Sequence, residues 1–393
     1  MLVDIGAHVY RIAVALLPAA VAGRALPGLA RQFREVGVTS VREARRRLLI
    51  APVNSAGQGY TWARAAERLP DVAAASAMFR GGDDLFGFAA DHIIPAAALV
   101  GNPRWRSAQK AAVARRFTHV VVESGRHLFE PSGDVLRMIR ELQDAGVRVA
   151  LLWHGSDIRL PSVHAAAEPD SPFRGGVYPD TDVLEEIARA HASLGAESGV
   201  QQFVSTPDLL RFVPGARWLP VVVDPERWSF AAARPALDGD GPIRVVHAPT
   251  RAGLKGSDQI ADIMDRLQSE GVVEYIEVRG TPSNQMPELY GSADIVLDQF
   301  LAGAYGVAAC EALAAGRLVV SHVEDATRKT VQTLSGRALP IVQARWRELE
   351  DVIRAIAADR PRFAVHAMKG PDFIRATHDG TLSAQVLRSF LDS

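Results

Sequence analysis

Two runs of alternating apolar strands and helices, separated by one short aperiodic break, constrain this chain more than any other feature. The first run spans residues 48–225. LLIAPV (48–53) reads as a buried strand, NSAGQG as the loop after it, and YTWARAAERL as a helix. HVVVES (119–124), VRVALLW (147–153) and FVST (203–206) are further strands. WLPVVVD (218–224) is a weaker one, since Pro220 argues against a central position. Helical segments such as GDVLRMIRELQDAG (133–146) lie between them. Continuous apolar strands alternating with helices predict a parallel sheet covered on both faces. AAARPALDGDGP (231–242) then breaks the pattern and reads as a linker. Strands resume at IRVVHA (243–248), VEYIEV (273–278), ADIVLD (293–298) and RLVVS (317–321). The expected organisation is an N-terminal α/β domain (48–230), the linker, a second α/β domain (243–370) and a terminal helical segment (371–393) packing back on the first domain. Two such units in tandem form a cleft, the usual place for a ligand.

A chain of 393 residues is too long for one core, which agrees with two domains. The net charge of −1 gives no pull toward nucleic acid, and none is expected as a partner. A single cysteine, Cys310, excludes an intrachain disulfide and fits a reducing, cytoplasmic setting. Residues 1–47 read as a helical extension. Their apolar stretch IAVALLPAAVAG (12–23) is interrupted by Pro18 and falls short of the roughly 20 residues that span a bilayer. Asp4 sits where a signal peptide would be basic. The same region holds eight arginines against three acids, densest in VREARRR (41–47). Two readings stand open for it: a solvated helix face, or peripheral contact with an anionic membrane on the inner face.

In the second domain the loop of IRVVHAPTRAGLKG holds His247, Arg251 and Lys255. Lysine is scarce here, with four among 44 basic residues, so Lys255 stands out. Arg251 and Lys255, four apart, either meet a diphosphate at the ligand edge of the sheet or are solvated. ADIVLDQFLAGAYGVAACEALAAG (293–316) reads strand, loop, helix, with Gly303 and Gly306 allowing tight turns. The helix start near Gly306 offers free N–H groups and a favourable dipole to an anion. Glu311 lies five residues on, roughly 7 Å along the axis, in a helix otherwise built of apolar residues. An ionised group there needs a partner. The partner is either the vicinal diol of a ribose or an arginine from a neighbouring element.

HAPTRAGLKGSD and ADIVLDQFLAGAYGVAACEALAAGRLVV resemble the second domain of retaining glycosyltransferases of GT-B architecture, in the broad family-4 group. APVNSAGQGY, LLWHGSDIR and VSTPDLLRFVPGARWLPVVVD resemble first-domain segments more loosely. The resemblance covers roughly residues 48–340. It implies two Rossmann-like domains with parallel sheets facing across a cleft, and a nucleotide diphosphate sugar as donor with no further cofactor. Lys255 would contact the donor diphosphate, assisted by Arg251. Backbone amides around Tyr305, Gly306 and Val307 would hold the same group, and Glu311 would bind the ribose hydroxyls. His154 would face the transferred sugar, and the Gly57–Gly59 loop would lie near the reacting centre. Asp157 and Glu123 are further candidates there, each weighed against local capping.

Two departures stand out. Where many members carry a second acid eight positions before the ribose carboxylate, this chain has Gly303, and Asp298 is the candidate substitute. The arginine-to-lysine gap is four rather than five. The resemblance implies hexosyl transfer to an acceptor hydroxyl with retention, in cell-surface polysaccharide or glycoconjugate synthesis. The acceptor would be a glycan, a lipid-linked sugar or a small molecule. No metal is expected, because the DTD of Asp180 and Asp182 reads as a cap for TDVLEEIARA. The alternatives are a nucleotide-sugar epimerase of the same architecture and a binding protein without turnover.

Overall fold

The computed structural model describes residues 36–81, 86–176, 178–230 and 234–393. The apolar stretch 12–23 and four of the eight arginines lie outside the described residues, whereas VREARRR (41–47) lies within them. Residues 36–44, expected to be helical, form no helix. Arg42 in this stretch donates to Val72 O at the start of the second strand at 2.7 Å, and Arg47, already in the first strand, donates to Arg116 O at a helix end at 2.6 Å. No helix among the described residues is long and apolar enough to cross a membrane.

The first sheet contains β1 (Arg46–Ala51), β2 (Val72–Arg80), β3 (His92–Pro95), β4 (His119–Glu123), β5 (Arg148–Trp153), β6 (Gln201–Val204) and β7 (Arg217–Trp218). Its order is β3-β2-β1-β4-β5-β6-β7, and every pairing is parallel. The runs LLIA, VVV and ALLW are essentially inaccessible, as strands covered on both faces must be. Strands β2 and β3 were not expected. VAAASAMFR is alanine-rich and weak in intrinsic β preference, and burial between two neighbours makes it a strand. WLPVVVD contributes only Trp218 to a strand. Beyond it the backbone is held by side chains: Trp62 Nε1 and Ser383 Oγ donate to Pro220 O, and Gln58 brackets Val222.

The second sheet contains β8 (Ile243–His247), β9 (Val273–Glu277), β10 (Ile295–Leu297), β11 (Leu318–Ser321) and the short, unexpected β12 (Val342–Gln343). Its order is β12-β11-β10-β8-β9, again all parallel. Within 234–242, Ala236 and Leu237 are buried and Leu237 N donates to Asp294 at 2.8 Å, so this stretch packs on the second domain.

In both sheets the strand order reverses beside the first strand, between β1 and β4 and between β8 and β10. Open parallel sheets bind ligands beyond the strand C-termini at such points.

The helices that shape the site are α1 (Gln58–Ala66), α2 (Thr181–Ser198), α3 (Val307–Ala314), α4 (Lys369–Thr377) and α5 (Thr381–Leu391). Asp180 precedes α2 but makes no capping bond through its side chain. Helix α4 lies on α3, where a Cβ at Gly370 would sit 2.7 Å from Leu313 O. Helix α5 crosses to the first domain, with Phe390 against His119 and Phe203, and Asp392 paired to Arg46 at 2.5 Å. His378 links the two helices: its Nδ1 donates to Val221 O, and its Nε2 receives the Tyr305 hydroxyl. Burial pushes His378 down to about 4, which keeps that arrangement neutral.

A second bridge joins the domains. Glu168 accepts from His322 at 2.8 Å and Arg345 at 2.6 Å, and Asp170 accepts from Arg345, Arg347 and Trp346. Burial alone would raise the Glu168 carboxyl, but His322 and Arg345 hold it at about 2.

Candidate active site

At the first switch point one acid ties three loops together. Glu123 ends β4 and is 0 % exposed. One of its oxygens accepts from Val53 N and Asn54 N, both at 2.9 Å, in the loop after β1. The other meets His154 Nε2 at 3.0 Å, just past β5. Asp157 does similar work nearby, accepting from His154 N, Gly155 N and Ser124 Oγ. Glu123 and Asp157 are therefore both engaged in bonds within the first domain.

The His154 ring stacks on Trp62 at 5.8 Å. Burial pushes its pKa down, but the Glu123 hydrogen bond and the charges of Glu123 and Asp157 outweigh that and raise it. Nδ1 makes no hydrogen bond among the described residues. The imidazole is thus oriented through one nitrogen and lines the cleft.

The glycines expected near the reacting centre do not themselves line the described cavities. Gly57 has φ +75 and a Cβ there would press on Phe88 at 3.1 Å, while Gly59 lies inside α1 under Asn54. Ser55 and Ala56 line the cleft in their place.

At the second switch point Lys255 Nζ donates to Asp298 Oδ1 at 2.7 Å, bridging the loops after β8 and β10. Asp298 is 2 % exposed, and its Oδ2 has no partner. Asp298 thus holds Lys255, whose remaining donors are free for a ligand. His247 is structural: it is fully buried and bonds to Leu297 O and Ser257 Oγ. Arg251 is exposed and reaches across the cleft to Ser156 Oγ at 3.0 Å. It borders a different cavity from the one that holds Glu311.

Helix α3 starts after Gly306, and its first internal bond is from Cys310 N to Gly306 O, so the amides of Val307 and Ala308 remain open to the cleft. The Tyr305 ring is buried against His378, so only its backbone contributes.

Glu311 has no hydrogen bond or ion pair among the described residues. The arginine partner considered from the sequence is absent among them. Its desolvated surroundings push the carboxyl up to about 8, against the opposing pull of Arg227 and Lys255. Both Glu311 and Lys255 line one pocket of about 320 Å³, with Asp298, Gly306 and Val307 on one side and His154 on the other. Met286, Tyr290 and Thr281 close its far end, and Phe86 and Phe88, stacked at 5.8 Å, cover it from the first domain. Those residues carry no sequence motif, and the topology alone gathers them.

Gly303, where the family's second acid would stand, has φ +64, and a Cβ there would meet Glu324 Cγ at 2.6 Å. Glu324 fills that space and pairs with Arg211 of the first domain.

Two facing parallel-sheet domains with this cleft between them define the GT-B fold of glycosyltransferases. Sucrose-phosphate synthase from Thermosynechococcus elongatus matches it with a TM-score of 0.56 and 12 % identity, over 88 % of this chain and 99 % of its own. An alpha-glucosyltransferase in complex with UDP and a 13-mer DNA matches at 0.56 and 10 % identity, over 88 % and 100 %. The catalytic domain of Starch Synthase IV from Arabidopsis thaliana, bound to ADP and acarbose, matches at 0.56 and 10 % identity, over 89 % and 99 %. At such identities the likeness is one of fold. No protein-family model matches the chain, and no curated protein sequence matches it.

Proposed function

We propose that this protein is a glycosyltransferase that moves a sugar from a nucleoside diphosphate sugar to an acceptor hydroxyl, with retention and without a metal. One observation carries the reading: a lysine, an open helix N-terminus and an unpartnered carboxyl share one pocket, and a carboxylate-oriented histidine faces them from the other domain. In this reading the diphosphate lies between Lys255 and the amides of Val307 and Ala308, and Glu311 takes the ribose diol. Negative charge grows on the diphosphate as the glycosidic bond breaks, and these donors are already aimed at it. The positive groups that a metal would otherwise supply are thus present in the chain. His154, fixed through Nε2, offers Nδ1 to the transferred sugar. Domain closure excludes water that would hydrolyse the donor. The UDP and ADP complexes among the matching folds agree with a nucleotide donor. No nucleophile is assigned. A role in polysaccharide or glycoconjugate synthesis, in the cytoplasm, remains part of this proposal.

Gly303 favours a second reading, nucleotide-sugar binding without transfer, because the space for the missing acid is filled by Glu324.

A thermal-shift screen against UDP-, GDP-, ADP- and TDP-sugars tests the first step. A donor at 100 times its Kd stabilises the fold by about 2.7 kcal/mol, a shift of several degrees. No shift with any of them overturns the nucleotide site. A shift without product across an acceptor panel selects the second reading, and an isomerised sugar in the absence of acceptor selects an epimerase.

A further inference from the structure

Beside the donor pocket opens a larger cavity of about 810 Å³, which shares Phe86, Phe88, His154 and Lys255 with it. An acceptor would occupy this side, so its lining reports acceptor chemistry. The outer wall is apolar, made by Phe173, Leu184, Ile187 and Leu254. Leu184, Ile187 and His191 stand three and four apart on α2 and so share one face. Ile187 is 38 % exposed, and Val183 beside it is 57 % exposed.

The charges in the cavity are one-sided. Among the described residues Asp157 is the single acid in the lining, and its oxygens are already engaged by His154 N, Gly155 N and Ser124 Oγ. Arg159 is paired with Asp208 at 2.5 Å, and Lys255, held by Asp298, is assigned to the donor diphosphate in the proposed reading. Two cations are left. Arg126, exposed after β4, has no side-chain hydrogen bond or ion pair among the described residues. Arg251 touches only the Ser156 hydroxyl. A guanidinium over an open cavity is met best by a planar or tetrahedral oxyanion.

We propose that the acceptor is a small amphipathic molecule, an aromatic or other apolar body carrying a carboxylate or phosphate. Its body lies on the Phe173–Leu184–Ile187 wall, and its anionic group sits between Arg126 and Arg251. This inference rests on the transferase reading and reassigns Arg251 from donor to acceptor.

The test titrates three probes into the full chain without nucleotide: a hydroxynaphthoate, the matching naphthol without the carboxylate, and glucuronate, an anion without an apolar body. Hydroxynaphthoate is expected to bind at least tenfold more tightly than naphthol, with glucuronate undetectable. The double variant Arg126→Ala, Arg251→Ala should erase the tenfold preference and leave naphthol binding intact. Ile187→Asp should weaken both aromatic probes. Both arginines are exposed, so an unchanged melting temperature is expected. Equal binding of the two aromatics, a preference that survives in the double variant, or no binding of either overturns the proposal. So does an Arg251→Ala variant that loses UDP affinity while keeping the hydroxynaphthoate preference. A parallel UDP titration separates the levels. UDP binding without hydroxynaphthoate binding removes this inference alone, whereas a chain that binds none of the four nucleotide sugars loses the transferase reading itself.

Discussion

The two switch points are built alike and finished differently. Each has a buried acid spanning the loops where strand order reverses. At the first, Glu123 has every oxygen occupied by Val53, Asn54 and His154. At the second, Asp298 keeps one oxygen unpaired, and Glu311 nearby has no partner at all among the described residues. Buried polar groups are normally satisfied, so the first edge is a completed scaffold, whereas the second, with Asp298 Oδ2 unpaired beside the half-buried Glu311, is the edge where the proposed donor would bind. Removing an acid from the first should therefore cost folding, and removing one from the second should cost binding.

The largest effect expected is that of Glu123→Ala. It strands two backbone N–H groups and His154, and should lower unfolding free energy by roughly 3–5 kcal/mol in urea titrations. A loss under 1 kcal/mol would break the contrast. Next comes Lys255→Met, expected to weaken UDP binding by roughly 2–3 kcal/mol in calorimetry, the usual scale for a hydrogen-bonded charge on phosphate. Unchanged affinity would place the diphosphate elsewhere.

Glu311→Gln sharpens the comparison through pH. A carboxyl raised from an ordinary 4.5 to about 8 binds more protons folded than unfolded between those values. Stability therefore falls as pH climbs through that window. The glutamine variant removes the slope, and should match the parent at pH 4.5 and exceed it at pH 8.5 by about 2 kcal/mol, roughly half of what the full shift would give, because water in the open pocket screens the half-buried carboxyl. Its UDP affinity should fall about tenfold, the size of one lost hydrogen-bonding contact. An identical pH profile in both proteins would contradict the desolvated state of Glu311. Smallest is Gly303→Ala, in which the left-handed backbone and the contact with Glu324 should cost about 1–2 kcal/mol of stability.

Glu311 was legible in the sequence because a lone carboxylate in AYGVAACEALAAG violates the pattern around it. Lys255 stood out through its place in the loop after β8 and the resemblance of HAPTRAGLKGSD, with the rarity of lysine as a minor addition. The paired sheets followed from VVV- and ALLW-type runs. What stayed hidden depends on tertiary context. Strand β2 is alanine-rich and becomes a strand only by lying between β1 and β3. Arg126 follows β4 in a loop without a motif, and nothing before the fold links it to Arg251, more than a hundred residues away. The Gly57–Gly59 loop is expected near the reacting centre, and beside it the turn presents Ser55 and Ala56 to the cavity while Gly59 falls inside α1.

The return of α5 to the first domain has a mechanical consequence. The chain passes from one half of the molecule to the other just after Val223, since Trp228 already packs on Tyr290 of the second domain, and it comes back at His378, whose carbonyl accepts from Val223 N, so two strands of polypeptide cross the gap side by side. A single tether would allow the halves to swivel freely, whereas two bonded side by side make one hinge about which they open and shut. A protease that nicks the exposed 238–241 segment would leave both fragments attached, and a gel under native conditions would still show one species.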